Sequence, residues 1–263
     1  PSKALIRSAK LAHQIGKAES LGLRNATGEV DFAAVMARVQ RVVADIEPHD
    51  SVERYTGLGV EVELGHAKII TPWSVEITRH DGSKTTLTTK AIVIAAGASP
   101  FVPPIPGLKD VGFLTSDTLW EIKTLPRRLV VLGGGPIGCE LAQSFARLGS
   151  KVMQVEMLPT VMSREDPDAA ALVTDALRAD GVELLTGHKA VRCEMLGGTK
   201  RLIVQHGAGD ASAERAIEFD ELLCAVGRSP RVEGYGLEEL GIPLTTRKTI
   251  ETDAYLQTLY PNI

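Results

Sequence analysis

Cysteine is scarce in this chain: three residues, Cys139, Cys193 and Cys224, among 263. Thiols so widely spaced form neither a disulfide framework nor a zinc-ligand set. They suit a reducing compartment, so the expected location is cytoplasmic, and small buried hydrophobes is the plainest reading of all three. Net positive charge is missing as well. The formal charge of −4 leaves no basic field for nucleic acid or an anionic membrane, and neither is expected as a partner. No apolar run is long enough to cross a bilayer, and no internal repeat or low-complexity tract occurs. There is no secretory leader, but there is no initiator methionine either, so the missing leader carries no weight. The chain opens on Pro1, Ser2 and Lys3 and runs straight into a helical pattern.

What is present is enough to fold. Apolar residues make up 44% and charged residues 24%, which supports a buried core in one large domain or two ordinary ones. Leu5, Ile6, Ala9, Leu11, Ala12 and Ile15 recur at helical spacing. A second helix is expected from Asp31, a natural N-cap, with Phe32, Val35, Met36, Val39, Val42, Val43 and Ile46 as its stripe and Pro48 as its end. From Gly59 the period changes to two, through "GVEVELGHAKII", "WSVEITRH", an Asp81-Gly82 turn and "KTTLTTKAIVIAAG". That predicts a β-meander ending in a fully buried strand over Ala91 to Ala95. The stretch "PFVPPIPG" reads as a stiff connector. Strand-like runs "VELL", "RLIVQH" and "AIEFDELLCAVG" then precede an irregular tail, and the class is α/β.

"PRRLVVLGGGPIGCELAQSFARLGSKVMQVE" reads as strand, tight glycine turn, helix and strand. Gly133, Gly135 and Gly138 stand in the G-x-G-x-x-G spacing, with the helix starting near Pro136 and Ile137. The first glycine permits the turn, the second lets a pyrophosphate approach the backbone, and the third packs helix on strand. A phosphate at the helix start gains roughly 0.3–1 kcal/mol from the macrodipole. Glu156 ends the second strand, where a carboxylate accepts hydrogen bonds from the adenosine ribose hydroxyls. A 2′-phosphate there would meet it at a cost of about 4 kcal/mol per charge pair at roughly 4 Å and an effective dielectric near 20. Arg164 alone does not offset that, so NAD(H) is expected over NADP(H). Another helix follows, capped by Asp166, with Pro167 in its first turn and Gly181 at its close.

Taken in order, "PSKAL", "ELGHAKI", "AIVIAAGASPFVPPIPG", "LPRRLVVLGGGPIGCELA", "LLCAVGRSP" and "LQTLYPNI" resemble the pyridine nucleotide-disulfide oxidoreductases. These flavoprotein reductases include dihydrolipoamide dehydrogenase, glutathione reductase and mercuric reductase. "ALIRSAKLAH" and "SREDP" are most similar to the mercuric reductase branch. The resemblance implies a Rossmann-like NAD-binding domain, residues 123–230, inserted in an incomplete FAD-binding domain, residues 1–122 and 231–263. In the family the PSK segment directly follows a redox disulfide and a first βαβ unit, so the resemblance implies an internal piece that lacks both ends. The parent is then expected to be a homodimer. The piece itself is expected to bind NAD(H) weakly or moderately, to hold little or no FAD, and to turn nothing over.

The resemblance also assigns roles. Lys3 matches the lysine near flavin N5 and Glu140 the glutamate that pairs with it. If that pair is buried, removing one partner costs of order 3–5 kcal/mol. His66 and Ala67 match a backbone contact to the FAD adenine, and Gly97 matches a glycine turn in which Ala96 replaces the usual threonine. Ala190 matches a position touching the NAD adenine, and Gly227 with Arg228 the turn near the nicotinamide. Met157 and Ser163 stand where NADP-specific members carry arginines. The implied activity passes hydride from NADH to flavin and on to a disulfide or another small-molecule acceptor. Two rivals are a disulfide-less flavoprotein, such as a soluble transhydrogenase or NADH oxidase, and a non-catalytic NAD-binding module.

Overall fold

The computed structural model of the chain describes residues 1–207 and 214–263. It divides into two compact units: Pro1–Ile46 with Pro100–Gly227, and Glu47–Ser99 with Arg228–Ile263.

The first unit is built on a parallel sheet of five strands. Their spatial order is Leu114–Thr115, Glu221–Cys224, Arg128–Leu132, Lys151–Glu156 and Glu183–Thr186. Leu129, Val130, Val131 and Leu132 are all buried, because a central parallel strand is covered on both faces and its sequence is a continuous apolar run. On one face Leu129, Val131, Val152 and Leu223 pack against helices, through Leu5 and Ala9 of Ser2–Gly16, Phe32 of Phe32–Ile46, and Leu141 and Phe145 of Pro136–Arg147. On the other, Val130, Leu132, Val155 and Leu222 meet Leu202, Val204, Ile217 and Phe219 of an antiparallel sheet. Its strands are ordered Glu214–Phe219, Thr199–His206, His188–Leu196.

The expected caps form. Asp31 Oδ1 accepts from Ala34 N at 2.9 Å, and Asp166 Oδ1 accepts from Asp168 N at 2.9 Å. The first helix buries a narrower stripe than its spacing predicts, since Leu11 is exposed. The run "AIEFDELLC" breaks into two strands at Asp220, whose carboxylate accepts from the Arg128 backbone N–H at 2.8 Å and from its guanidinium. One half joins the antiparallel sheet and the other the parallel one.

In the second unit His66–Thr71, Ser74–Thr78 and Lys84–Thr88 form the expected antiparallel meander, with Gly82 at φ +82° in its turn. Residues 59–65 are not part of it. The buried strand expected over Ala91 to Ala95 is also absent. Ile92 and Ile94 pack beside Ile69, Leu237 and Ile263, while Val93 is 90% exposed. A strand needs a ladder with at least one neighbour; here the backbone contact is Ile92 N to Asn262 O at 2.8 Å. Among the described residues the segment joins no ladder.

Candidate functional site

The strand Arg128–Leu132 runs into Gly133, whose φ of +106° lies in the left-handed region. A Cβ on Gly133 would strike the Ala225 carbonyl, and one on Gly138 would strike the Gly133 carbonyl. These two glycines tighten the turn. Gly135 differs, because a Cβ there meets nothing within 4 Å and the turn faces open space. Gly135 caps the helix, Pro136 occupies its first position, and the first intrahelical donor is Cys139 N to Gly135 O at 3.0 Å. The N–H groups of Ile137 and Gly138 precede that bond and point, with the positive end of the helix dipole, toward an external acceptor. An open backbone face with two N–H donors is what a pyrophosphate requires, so the residues present fit a dinucleotide.

Two side chains on Lys151–Glu156 hold this turn. Gln154 is fully buried and donates through Nε2 to the Gly133 carbonyl at 2.9 Å, while its Oε1 has no partner among the described residues. Glu156 Oε2 accepts from Gly134 N at 2.5 Å, and Oε1 accepts from Leu158 N at 2.7 Å. The carboxylate is thereby fixed at the edge of the turn with further lone pairs available for hydroxyl donors. Gly227, at φ +138°, follows the neighbouring strand Glu221–Cys224, whose continuation through Ala225 and Val226 passes against Gly133.

One turn further along the glycine-turn helix, Glu140 Oε1 accepts from Lys3 Nζ at 3.2 Å. The Lys3 side chain is 84% exposed and that of Glu140 39%. The burial on which a large cost would depend is not met, and an exposed pair of this kind contributes about 0–1 kcal/mol. The exposed ammonium keeps donors free to meet an electron-rich group.

The other sequence-derived candidates have the following surroundings. Ala190 faces Val204 across the antiparallel sheet. In the second unit, His66 Nε2 lies 3.0 Å from Gly234 O, Ala67 faces Ile77 across the meander, and the Gly97 carbonyl accepts from Arg231 N at 3.0 Å. The Arg228 guanidinium donates to the Ala98 carbonyl. Gly133, Gly135, Pro136, Ile137, Gly138 and Glu156 therefore meet at one place, Gly227 follows the segment that passes against Gly133, and Lys3 joins through Glu140. Sequence reasoning missed Gly134 and Gln154. The only signal for Gly134 was a third consecutive glycine, and for Gln154 an amide between the apolar Met153 and Val155.

All three cysteines are free and buried. Burial raises each thiol above its usual range, Cys193 to about 11 and Cys224 to about 12. Among the described residues no helix is long and apolar enough to cross a membrane, and no cluster of side chains suits a metal ion.

Comparison with known proteins bears on the same arrangement. The family model described as pyridine nucleotide-disulphide oxidoreductase matches residues 1–263. A mercuric reductase of Bacillus cereus is 33% identical over 258 residues, covering 98% of this chain and 40% of that protein. A dihydrolipoyl dehydrogenase of Thermus scotoductus is 33% identical over 266 residues, covering 100% of this chain and 55% of that protein. Among solved structures, LpdA from Mycobacterium tuberculosis superposes with a TM-score of 0.84 at 27% identity, covering 100% of this chain and 56% of that one. The HOCl-induced flavoprotein disulfide reductase RclA from Escherichia coli gives 0.78 at 28%, covering 100% and 54%. The chain thus spans about half the length of the curated relatives it matches.

Proposed function

The chain belongs to the pyridine nucleotide-disulphide oxidoreductases, and from that premise we propose that it is the pyridine nucleotide-binding and flavin-facing part of a reductase that uses NADH and FAD. The family implies both cofactor classes. When bound, the dihydronicotinamide supplies a hydride and FAD accepts two electrons for delivery to a disulfide or another small-molecule acceptor.

This chain's residues have separable tasks in that scheme. The Gly133–Gly138 turn binds the pyrophosphate with the Ile137 and Gly138 N–H groups, and Gly135 leaves room for it. Glu156 orients the adenosine ribose and disfavours a 2′-phosphate, which selects NADH over NADPH. Lys3 presents a cation to the flavin, where it stabilises the electron-rich reduced form, and Glu140 aims the ammonium and partly neutralises it. Residues 123–230 are the NAD-binding domain, and residues 1–122 and 231–263 contribute to FAD binding, with His66, Ala67, Gly97 and Arg228 among the contacts.

A single observation carries this reading. One helix opens on the glycine turn and, a turn later, carries Glu140, which accepts from Lys3 of Ser2–Gly16, so the nucleotide cradle and the flavin-facing cation are linked through one element. Titrating the chain with NADH and following nicotinamide fluorescence tests it. Saturable binding that Gly138→Val abolishes is expected. No binding at millimolar NADH by the folded wild-type chain overturns it.

A further inference from the structure

Gly134 is the variable position of the G-x-G-x-x-G pattern, yet its surroundings are closed by side chains. Its N–H is held by Glu156 Oε2 at 2.5 Å, and its carbonyl accepts from Met162 N at 2.7 Å. A Cβ on Gly134 would come within 2.9 Å of Glu156 Cγ and Oε2 and 3.0 Å of Val161 Cγ1. Val161 is buried and cannot yield, whereas the Glu156 side chain is half-buried and can. A side chain at 134 therefore crowds the carboxylate, whose flexible chain can move aside, and also presses on Val161, against which a few tenths of an ångström must be found. The other oxygen of Glu156 is tied to Leu158 N, so the carboxylate is fixed across the strand end before any nucleotide arrives.

We propose that Gly134 is a specificity-determining residue: the missing side chain lets Glu156 clasp the Gly134 N–H, and that clasp fixes the carboxylate where it discriminates a free ribose diol from a ribose 2′-phosphate. The inference rests on the reading of this turn as a pyridine nucleotide site. It adds that discrimination belongs to the Gly134–Glu156 pair, not to the acid alone. A glutamate freed from its clasp can swing toward solvent. There it no longer presents acceptors to the ribose hydroxyls, nor negative charge to a phosphate.

The test is direct binding of NADH and NADPH to the chain, followed by nicotinamide fluorescence, with circular dichroism to verify the fold. Gly134→Ala is expected to weaken NADH about tenfold, the scale of one charge-assisted hydrogen bond, without weakening NADPH. Glu156→Asp shortens the acid out of reach of the Gly134 N–H and should lower the preference similarly without crowding position 134. In a Glu156→Gln background, Gly134→Ala should leave the NADH:NADPH preference where Glu156→Gln alone puts it. The proposal fails if Gly134→Ala weakens both nucleotides equally or leaves the preference unchanged. It also fails if the preference falls further in the Glu156→Gln background. Should Gly134→Ala not fold, Glu156→Asp decides, and an unchanged preference there overturns the clasp. A wild-type chain that binds neither nucleotide overturns the functional reading itself, a separate result from nucleotide binding with an unmoved preference.

Discussion

Asp180 Oδ1 lies 2.9 Å from His13 Nδ1, and the Asp180 side chain is only 3% exposed. Its other oxygen takes Arg147 Nη2 at 2.8 Å and Gln143 Nε2 at 2.7 Å. The junction joins three helices. His13 is in the last turn of Ser2–Gly16, Asp180 caps the end of Pro167–Ala179, and Gln143 and Arg147 lie on the glycine-turn helix. A carboxylate at a helix C-terminus opposes the dipole, so these donors are what keep it there. The same two helices that Lys3 and Glu140 join weakly at one end are fastened here through a buried acid.

Asp180→Ala should therefore be among the most damaging substitutions outside the glycine turn. It leaves Arg147, 18% exposed, and Gln143 without their acceptor. Breaking a buried pair on one side costs about 3–5 kcal/mol, and the partial exposure of Arg147 places the expected loss near the lower figure. Urea unfolding followed by circular dichroism checks it; a loss under about 1 kcal/mol would mean that water replaces the carboxylate without penalty.

His13 gives the junction a pH dependence. Burial, followed by the nearby Arg147 charge, lowers its pKa; Asp180 opposes and Lys17 adds to the lowering. A histidine whose folded pKa lies below its unfolded value resists protonation in the native state, so the unfolded chain binds more protons. Its contribution is then neutral above the usual value of 6.5 and becomes destabilising as pH falls through 6.5 toward the folded value. His13→Gln, which keeps a donor for Asp180, should flatten that part of the stability curve. An unchanged slope between pH 7 and 5 would assign the titration to other groups.

None of that junction was legible in the sequence, because its members come from three helices far apart along the chain. Local signals fared better. The Asp31 and Asp166 caps, the glycine turn and the acid at 156 each act within one supersecondary unit. Where the sequence misled, the missing information was about partners. "AIVIA" has the composition of a buried parallel strand, but Ile92 and Ile94 pack while Val93 stays in solvent, and among the described residues no ladder forms beside them. His188–Leu196 was overlooked although Gly197 and Gly198, both at positive φ, mark the two-residue turn of its hairpin with Thr199–His206. Charge and burial also part company at Lys3: the resemblance identified the pair, but only the structure gives its exposure.

That exposure separates function from fold. Lys3→Gln or Glu140→Gln should change unfolding stability by no more than about 1 kcal/mol. On the role proposed for Lys3, the same changes in the flavin-loaded parent should slow hydride transfer to flavin by more than about tenfold, since a cation there would act on charge that develops during the transfer. Stopped-flow reduction beside chemical denaturation makes the comparison. Equal, small effects on both would reduce the pair to surface decoration.

Gln154 sets two opposed terms against each other. Gln154→Leu removes the Nε2 donor and leaves the Gly133 carbonyl unpaired, a loss of about 1–3 kcal/mol. It also removes the Oε1 atom that is already buried without a partner, which recovers part of that loss. The net destabilisation should be about 1 kcal/mol. NADH binding should weaken more than stability does, since Gly133 opens the turn proposed to receive the pyrophosphate. Denaturation and nucleotide titration on one preparation separate the two.

Thiol reactivity tests the assignment of the cysteines from the opposite direction. A thiol reacts as its thiolate, and attack also needs access. Cys193 and Cys224, raised by burial to about 11 and about 12, are less than one-hundredth ionised at pH 8. Cys139 is raised as well, and its Sγ lies 3.4 Å from the Gly134 carbonyl. All three should therefore stay silent toward an aromatic disulfide reagent at pH 8 in the native chain and react together once it is unfolded. Slow native reaction should then follow global opening and slow further with any stabilising condition. Rapid reaction of Cys139 alone would reveal an accessible thiolate beside the glycine turn, and the packing role assigned to it would be wrong.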